Sequence, residues 1–348
     1  MTFREVSGHR RLVGLLARAI GAGSLPPSLI FAGPDGIGKR RVAFAAASAL
    51  NCLSPVEDMV TGLRDACGTC ASCGKIARGH HPDVRLVEPE ENGSIKIEPI
   101  REVIGQTAYR PFEGRSRVVI VDRADLMGED AQNAMLKTLE EPPARNVFIL
   151  ISSRPTLLLD TVRSRCCQLR FAPMAAGEIV TELIARHGYA ERDARAAAAM
   201  AGGSLGRALE SATGELAEAR AVAAGILIEA TRAADPRTRL AVGAALLQVV
   251  GKKGKDKDGK GQAGDRGQLA VRLRAMSSLL RDVSILTTRA PEEALVNLDL
   301  RAELEPVARH YDRDRLARAF SAVGRAIAAV ERHNASPKIV VDWLAFQL

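Results

Sequence analysis

Residues 117–165 read RVVIVDRADLMGEDAQNAMLKTLEEPPARNVFILISSRPTLLLDTVRSR. Val118–Val121 and Val147–Ile151 are short, almost uninterrupted runs of β-branched and aliphatic residues, the pattern of strands covered on both faces of a parallel sheet. Between them Ala131, Ala134, Met135, Thr138 and Leu139 recur at helical spacing, and Pro142-Pro143 ends the run. Proline has no N–H donor and clashes with the preceding turn, so the helix must stop there. Strand, helix, strand is therefore the repeating unit, and the rest of the chain is read outward from it.

Upstream, Ser28–Arg40 reads SLIFAGPDGIGKR: a short apolar strand, Gly33, four residues, Gly38-Lys39, then a helix over about 41–51. This is the G-x-x-x-x-G-K form, in which glycines turn backbone N–H groups toward a phosphate and the lysine reaches its outer oxygens at a helix N-terminus. Gly36 lies within the loop. Asp122, closing the strand Val118–Val121, then stands where a phosphate-loop NTPase keeps the acid that holds Mg²⁺. One position departs from a working site: Arg40 occupies the place of the Ser or Thr that ligates Mg²⁺.

With 348 residues, nearly half of them apolar, the chain can hold two or three domains with their own cores. The N-terminal MTFREVSGHRR has no apolar run of signal-peptide length, and nothing approaches the roughly 18 apolar residues that span a bilayer. A cytoplasmic location without membrane attachment is expected. Six basic and three acidic residues in 251–267 supply +3 of the net charge of +8, and the remainder suits an anionic partner such as DNA. An aromatic content of 3% argues against recognition of single strands by base stacking as the main activity.

Cys52, Cys67, Cys70 and Cys73 are spaced C-x14-C-x2-C-x2-C. Thiolates two residues apart can grip one tetrahedral Zn²⁺, and a fourth arriving from a distance closes a structural site with no open position. A structural zinc is the expectation. Four sulfurs complete the shell, so His81-Pro82-Asp83 is read as a turn.

Val84–Val87 is a further short strand, Pro99–Arg110 an amphipathic helix, and Cys166–Phe171 a last buried strand. Five strands with intervening helices imply an α/β fold, a doubly wound parallel sheet with the phosphate loop at the carboxyl edge of its first strand. From about Pro173 the chain turns to alanine-rich helix. Segments 176–187, 191–201 and 204–213 form a compact lid-sized unit, and 214–348 is a set of longer amphipathic helices. Val242, Ala245, Leu246 and Val249 make one apolar stripe, Leu273, Met276, Leu279 and Leu280 a second, and Leu316, Phe320, Val323 and Ile327 a third. Residues 251–267, glycine-rich and of mixed charge, read as a disordered loop.

GPDGIGK, the four-cysteine excursion, HPD, AQNAMLKTLEEPP and the triplet Ser164-Arg165-Cys166 together resemble the bacterial DNA polymerase III clamp-loader family within the AAA+ ATPases, and in it the delta-prime type. The resemblance covers residues 1–213 specifically, the rest matching in length and helical character. It implies an AAA+ domain over 1–172, a lid over 173–213 and a helical collar over 214–348. It also implies a loader whose partners are gamma/tau-type and delta subunits, acting on a sliding clamp and primed DNA. In that family the SRC arginine, here Arg165, points into the ATP site of the neighbouring subunit. Arg207 falls where a lid arginine senses phosphate, and Ser152 or Ser153 takes the place of the polar sensor. Read without the family, Arg165 caps a turn and pairs with a surface acid. The family's ATPases follow the Mg²⁺ acid with a second acid that orients the attacking water, where this chain has Arg123 after Asp122. With Arg40 in the place of the magnesium hydroxyl, the resemblance points to a subunit that does not turn over ATP, with Gly33, Gly36, Gly38, Lys39, Asp122 and Arg207 forming a degenerate nucleotide site. The competing readings are an ATP-hydrolysing gamma/tau-type motor, a zinc-dependent DNA-binding module and, last, a small-molecule kinase.

Overall fold

The structure is a computed structural model and describes residues 1–57, 63–90, 93–210, 215–233, 235–247, 261–288, 295–332 and 335–348. These form two compact units, residues 1–178 with 203–206, and residues 179–202 with 207–348.

The first unit contains β1 (Ser28–Ala32), β2 (Val56–Glu57), β3 (Arg64–Asp65), β4 (Val84–Val87), β5 (Arg117–Val121), β6 (Asn146–Ser152) and β7 (Cys167–Arg170). Its helices are α1 (Arg10–Gly21), α2 (Lys39–Asn51), α3 (Ala71–Ala77), α4 (Ile97–Thr107), α5 (Glu129–Glu140) and α6 (Asp160–Arg163). Five strands build one parallel sheet in the order β4-β5-β6-β1-β7, while β2 and β3 pair as a separate short hairpin. Because side chains alternate along a strand, the unbroken apolar runs feed two cores at once. Leu29, Phe31, Val118, Ile120, Ile149 and Ile151 face α1 and α2, whereas Ile30, Val119, Val121, Phe148 and Leu150 face α4 and α5. The five expected strands and the α/β architecture are therefore present. β7 differs from expectation: it pairs only with β1, and of its four residues Leu169 alone is buried. A strand at the sheet's edge has one neighbour, which leaves Cys167, Gln168 and Arg170 to solvent.

The second unit is helical, with α7 (Ala176–His187, beginning in the first unit), α8 (Glu191–Met200), α9 (Leu205–Glu210, its first two residues in the first unit), α10 (Glu215–Arg232), α11 (Pro236–Ala244), α12 (Gly261–Thr288), α13 (Arg301–Ala308), α14 (Arg313–Arg332) and α15 (Pro337–Ala345). Leu273, Met276, Leu279 and Leu280 on α12 are all fully buried, as their spacing predicts. On α14 the buried stripe is Leu316, Ala319, Val323, Ala326 and Val330, and Phe320 is 47% exposed. Alanines let α14 approach α12 closely, and a phenylalanine at the same contact would hold the helices apart. Asp282, buried on α12, accepts from the N–H of Asn297 at 2.7 Å and from its side-chain amide at 2.7 Å. Arg220 of α10 donates to Asn297 Oδ1 at 2.9 Å, so one polar knot joins two helices to the 295–300 segment. Residues 261–267, expected in a loop, are the first turns of α12. Residues 251–260 and Val249 of the first stripe lie outside the described residues, while Val242 and Leu246 of that stripe are buried.

Candidate functional site

The phosphate loop follows β1 and opens α2. Gly33, Gly36 and Gly38 adopt φ of 154°, 76° and 98°, conformations that side-chain-bearing residues avoid. A Cβ on Gly33 would meet the Phe171 carbonyl oxygen at 2.2 Å. The Lys39 side chain is buried, and its Nζ donates to the carbonyls of Gly33 at 2.5 Å and Pro34 at 2.6 Å, holding the ammonium at the mouth of the loop. Ser204 Oγ donates to the Gly36 carbonyl at 2.6 Å, fixing the far side.

Arg40 projects from the first turn of α2 across the carboxyl edge of the sheet. Its Nη1 bonds Glu88, just after β4, and Asp122 Oδ2 at 3.2 Å, just after β5. Asp122 Oδ1 accepts from the N–H of Arg123, whose backbone is left-handed at φ 50° and whose side chain is exposed. Ser152 at the end of β6 is fully buried and donates to Asp125 Oδ1 at 3.0 Å; Ser153 N–H donates to the same oxygen at 3.2 Å, and Arg154 Nε to Oδ2 at 3.3 Å. Asp125 thus organises the polar end of β6. Arg207 lies in the second unit on α9, half-buried.

Arg165 follows α6. Its Nη1 donates to the Thr161 carbonyl at 3.0 Å, its Nη2 lies 3.3 Å from Glu140 Oε1 at the end of α5, and its Nε has no partner among the described residues. The neighbouring Cys166 packs into the α5-side core, and burial pushes its thiol up to about 12. The triplet therefore anchors at the cysteine and turns the arginine outward. Gln132, buried on α5, ties the segment down: its amide donates to the Met127 carbonyl at 3.1 Å and accepts from Leu159 N–H at 2.7 Å. The sequence reading passed over Asp125 and Gln132, whose only signal is a polar residue beside apolar runs.

The four cysteines converge. Cys52 ends α2, Cys67 follows β3, Cys70 caps α3 and Cys73 lies within it, and their Sγ atoms all fall within 4.8 Å of one another. The Cys52–Cys70 and Cys67–Cys73 separations are 3.9 and 4.0 Å. Four sulfurs at about 2.3 Å from one ion sit about 3.8 Å apart at tetrahedral angles, so this donor set fits Zn²⁺. N–H groups of Thr69 and Cys70 point at Cys67 Sγ at 3.5 and 3.3 Å and pull that thiol down to about 6. Burial pushes Cys52 and Cys73 up, whereas at Cys70 burial is outweighed by the N–H groups of Cys73 and Leu53 and the thiol is lowered. The N-terminal segment covers the excursion, with Asp65 accepting from the N–H groups of Phe3 at 2.9 Å and Arg4 at 3.1 Å.

His81-Pro82-Asp83 is more than a turn. Asp83, fully buried, accepts from the N–H groups of Phe112, Glu113 and Gly114 at 2.7, 2.9 and 2.8 Å and pairs with Arg117 at 3.3 Å. His81 is buried too, and its imidazole pKa is lowered by that burial.

A parallel α/β sheet with a glycine loop and buried lysine at the carboxyl end of its first strand, followed by helices, is an AAA+ P-loop architecture. Residues 8–175 match the family described as DNA polymerase III, delta subunit. The delta' subunit of Pseudomonas aeruginosa is 38% identical over 155 residues, 44% of this chain and 45% of that one. The Bacillus subtilis delta' subunit is 34% identical over 174 residues, 50% of each chain. The tau subunit of Salmonella typhimurium is 32% identical over 182 residues, 52% of this chain and 27% of that one. The matches span half or less of these relatives' own length, and both subunit types match at similar identity. Among the described residues no helix is long and apolar enough to cross a membrane.

Proposed function

We propose that this chain is a non-hydrolysing, delta-prime-type stator of a bacterial clamp loader. It would partner gamma/tau-type and delta subunits and help place a sliding clamp on primed DNA. Residues 1–172 would be its AAA+ domain, 173–213 its lid and 214–348 its collar, with Arg165 offered to a neighbour's ATP site and Arg207 the lid arginine of its own degenerate site. The observation that carries this reading is the Arg40 guanidinium bonded to Asp122. Phosphoryl transfer draws nearly all its catalysis from positioning and charge neutralisation, so a chain without the metal hydroxyl and the water-orienting acid has little to offer turnover. The gamma/tau-type motor is the second reading, supported by the tau relative's comparable identity.

The purified chain should accordingly hydrolyse ATP no faster than a protein-free control. Steady-state phosphate release, with and without Lys39→Ala, checks this: a magnesium-dependent rate that disappears in the variant replaces the stator with the motor.

The four cysteines would hold a structural Zn²⁺, closing the excursion rather than taking part in chemistry. Protein prepared without chelators should contain about one zinc per chain, and Cys67→Ser should lose most of it along with the local fold. Elemental analysis finding no zinc would remove the assignment.

A further inference from the structure

In a working phosphate-loop site Mg²⁺, held by a Ser or Thr hydroxyl and an Asp, bridges the phosphate oxygens, and the residues here do not fit that ion. The position next to Lys39 that should offer a hydroxyl offers a guanidinium, and that guanidinium already engages Asp122 and Glu88, the two carboxylates closing β5 and β4. It also lies over the Phe44 ring, 5.8 Å from its centroid, one helical turn along α2. A Mg²⁺ ion at Asp122 would have to displace a bonded cation and then sit beside it. The rest of the cradle is intact: the loop glycines hold their positive φ, Lys39 is buried at the mouth, and Ser204 pins the Gly36 carbonyl.

We propose that Arg40 is a built-in replacement for the divalent cation, so that this loop takes the diphosphate of a nucleotide without metal. The guanidinium offsets one of the two negative charges of Asp122 and Glu88, which would otherwise repel a polyphosphate more strongly. Its Nε and Nη2 donors carry no hydrogen bond among the described residues, so they are available to phosphate oxygens. One positive charge replaces two, so binding is weaker than in a magnesium-loaded site and indifferent to chelators. The inference rests on the phosphate-loop reading, but not on the stator reading: turnover can be absent whether or not metal-free binding occurs.

The test is calorimetric titration of ADP into the full chain, once in EDTA and once in excess Mg²⁺. The expected result is saturable binding whose Kd differs by less than about threefold between the two, lost in Lys39→Ala. Arg40→Thr, which restores a hydroxyl and frees Asp122, should bind more tightly in Mg²⁺ than in EDTA by on the order of tenfold or more. Wild-type binding that needs Mg²⁺, no ADP binding to the wild type under either condition, or an Arg40→Thr chain that stays indifferent to the metal would each overturn the proposal.

Discussion

Replacing Arg165 by alanine is expected to lower the clamp- and DNA-stimulated ATPase of a reconstituted loader by roughly tenfold at the one site this chain would border. Arginine fingers supply on the order of 10³ to 10⁵ in rate where chemistry limits, and slow conformational steps between several sites shrink what a steady-state assay reads. The resting geometry is suited to such a role. The Arg165–Glu140 pair is 32% and 60% exposed, and exposed pairs contribute about 0–1 kcal/mol. The guanidinium can therefore leave Glu140 for a phosphate at little cost, while Cys166 in the core and Gln132 on α5 keep its backbone fixed. Lysine at 165 should rescue poorly, because it keeps the charge and loses the planar fork. The measurement is ATPase and clamp-loading rate for complexes carrying wild-type, Arg165→Ala or Arg165→Lys chain at equal occupancy. Rates that do not change would reduce Arg165 to the cap of α6 that its bond to Thr161 already makes it.

The features legible in the sequence share a physical reason: each is a local pattern with little freedom of interpretation. A doubly covered strand needs apolar residues at consecutive positions, a phosphate loop needs glycines at fixed offsets, and a tetrahedral thiolate site needs short cysteine spacing. These gave β1, β4, β5 and β6, the Lys39 loop and the convergent cysteines. What escaped depends on which residues meet in space. Leu169 and its neighbours read as a buried strand because hydropathy does not reveal that β7 has a neighbour on one side only. Phe320 fits a helical stripe as well as Ala319 does, and only the close approach of α12 selects the alanine. Asp125 and Gln132 are single polar residues whose bonds to Ser152 and Leu159 each span 27 residues. That Arg40 would reach both Glu88 and Asp122 could not be read from its identity, since those acids follow different strands and become neighbours only when β4 pairs with β5.

Asp83→Ala is expected to be the most destabilising single change in the first unit, costing about 3–5 kcal/mol, the usual loss when one partner of a buried ion pair is removed. The carboxylate is fully buried between the start of β4 and the turn entering β5. Its removal orphans three backbone N–H groups at 112–114 and leaves Arg117, among the described residues, with the carbonyls of Gln106, Tyr109 and Arg110. Burial by itself would raise the Asp83 pKa, but those N–H groups and the Arg117 guanidinium outweigh it and hold the carboxyl below the usual range. A carboxyl with a depressed folded pKa stabilises the fold above its unfolded value of about 3.9 and loses that contribution as pH falls through the folded value. Asp83→Asn, which keeps the shape without the charge, should therefore lag the wild type at pH 7 and converge on it as the pH falls from about 3.9 through the depressed folded value. Urea unfolding followed by far-ultraviolet circular dichroism reads this. Fluorescence of Trp343 would not, because that residue lies in the second unit. A loss under about 1 kcal/mol for Asp83→Ala, or an Asp83→Asn deficit that persists unchanged into acid, would show that the turn is held by packing. The effect should also reach the nucleotide site. Asp83 sets where β4 and β5 begin, Glu88 and Asp122 directly follow those strands, and a slip in their pairing would part the two carboxylates that Arg40 bridges.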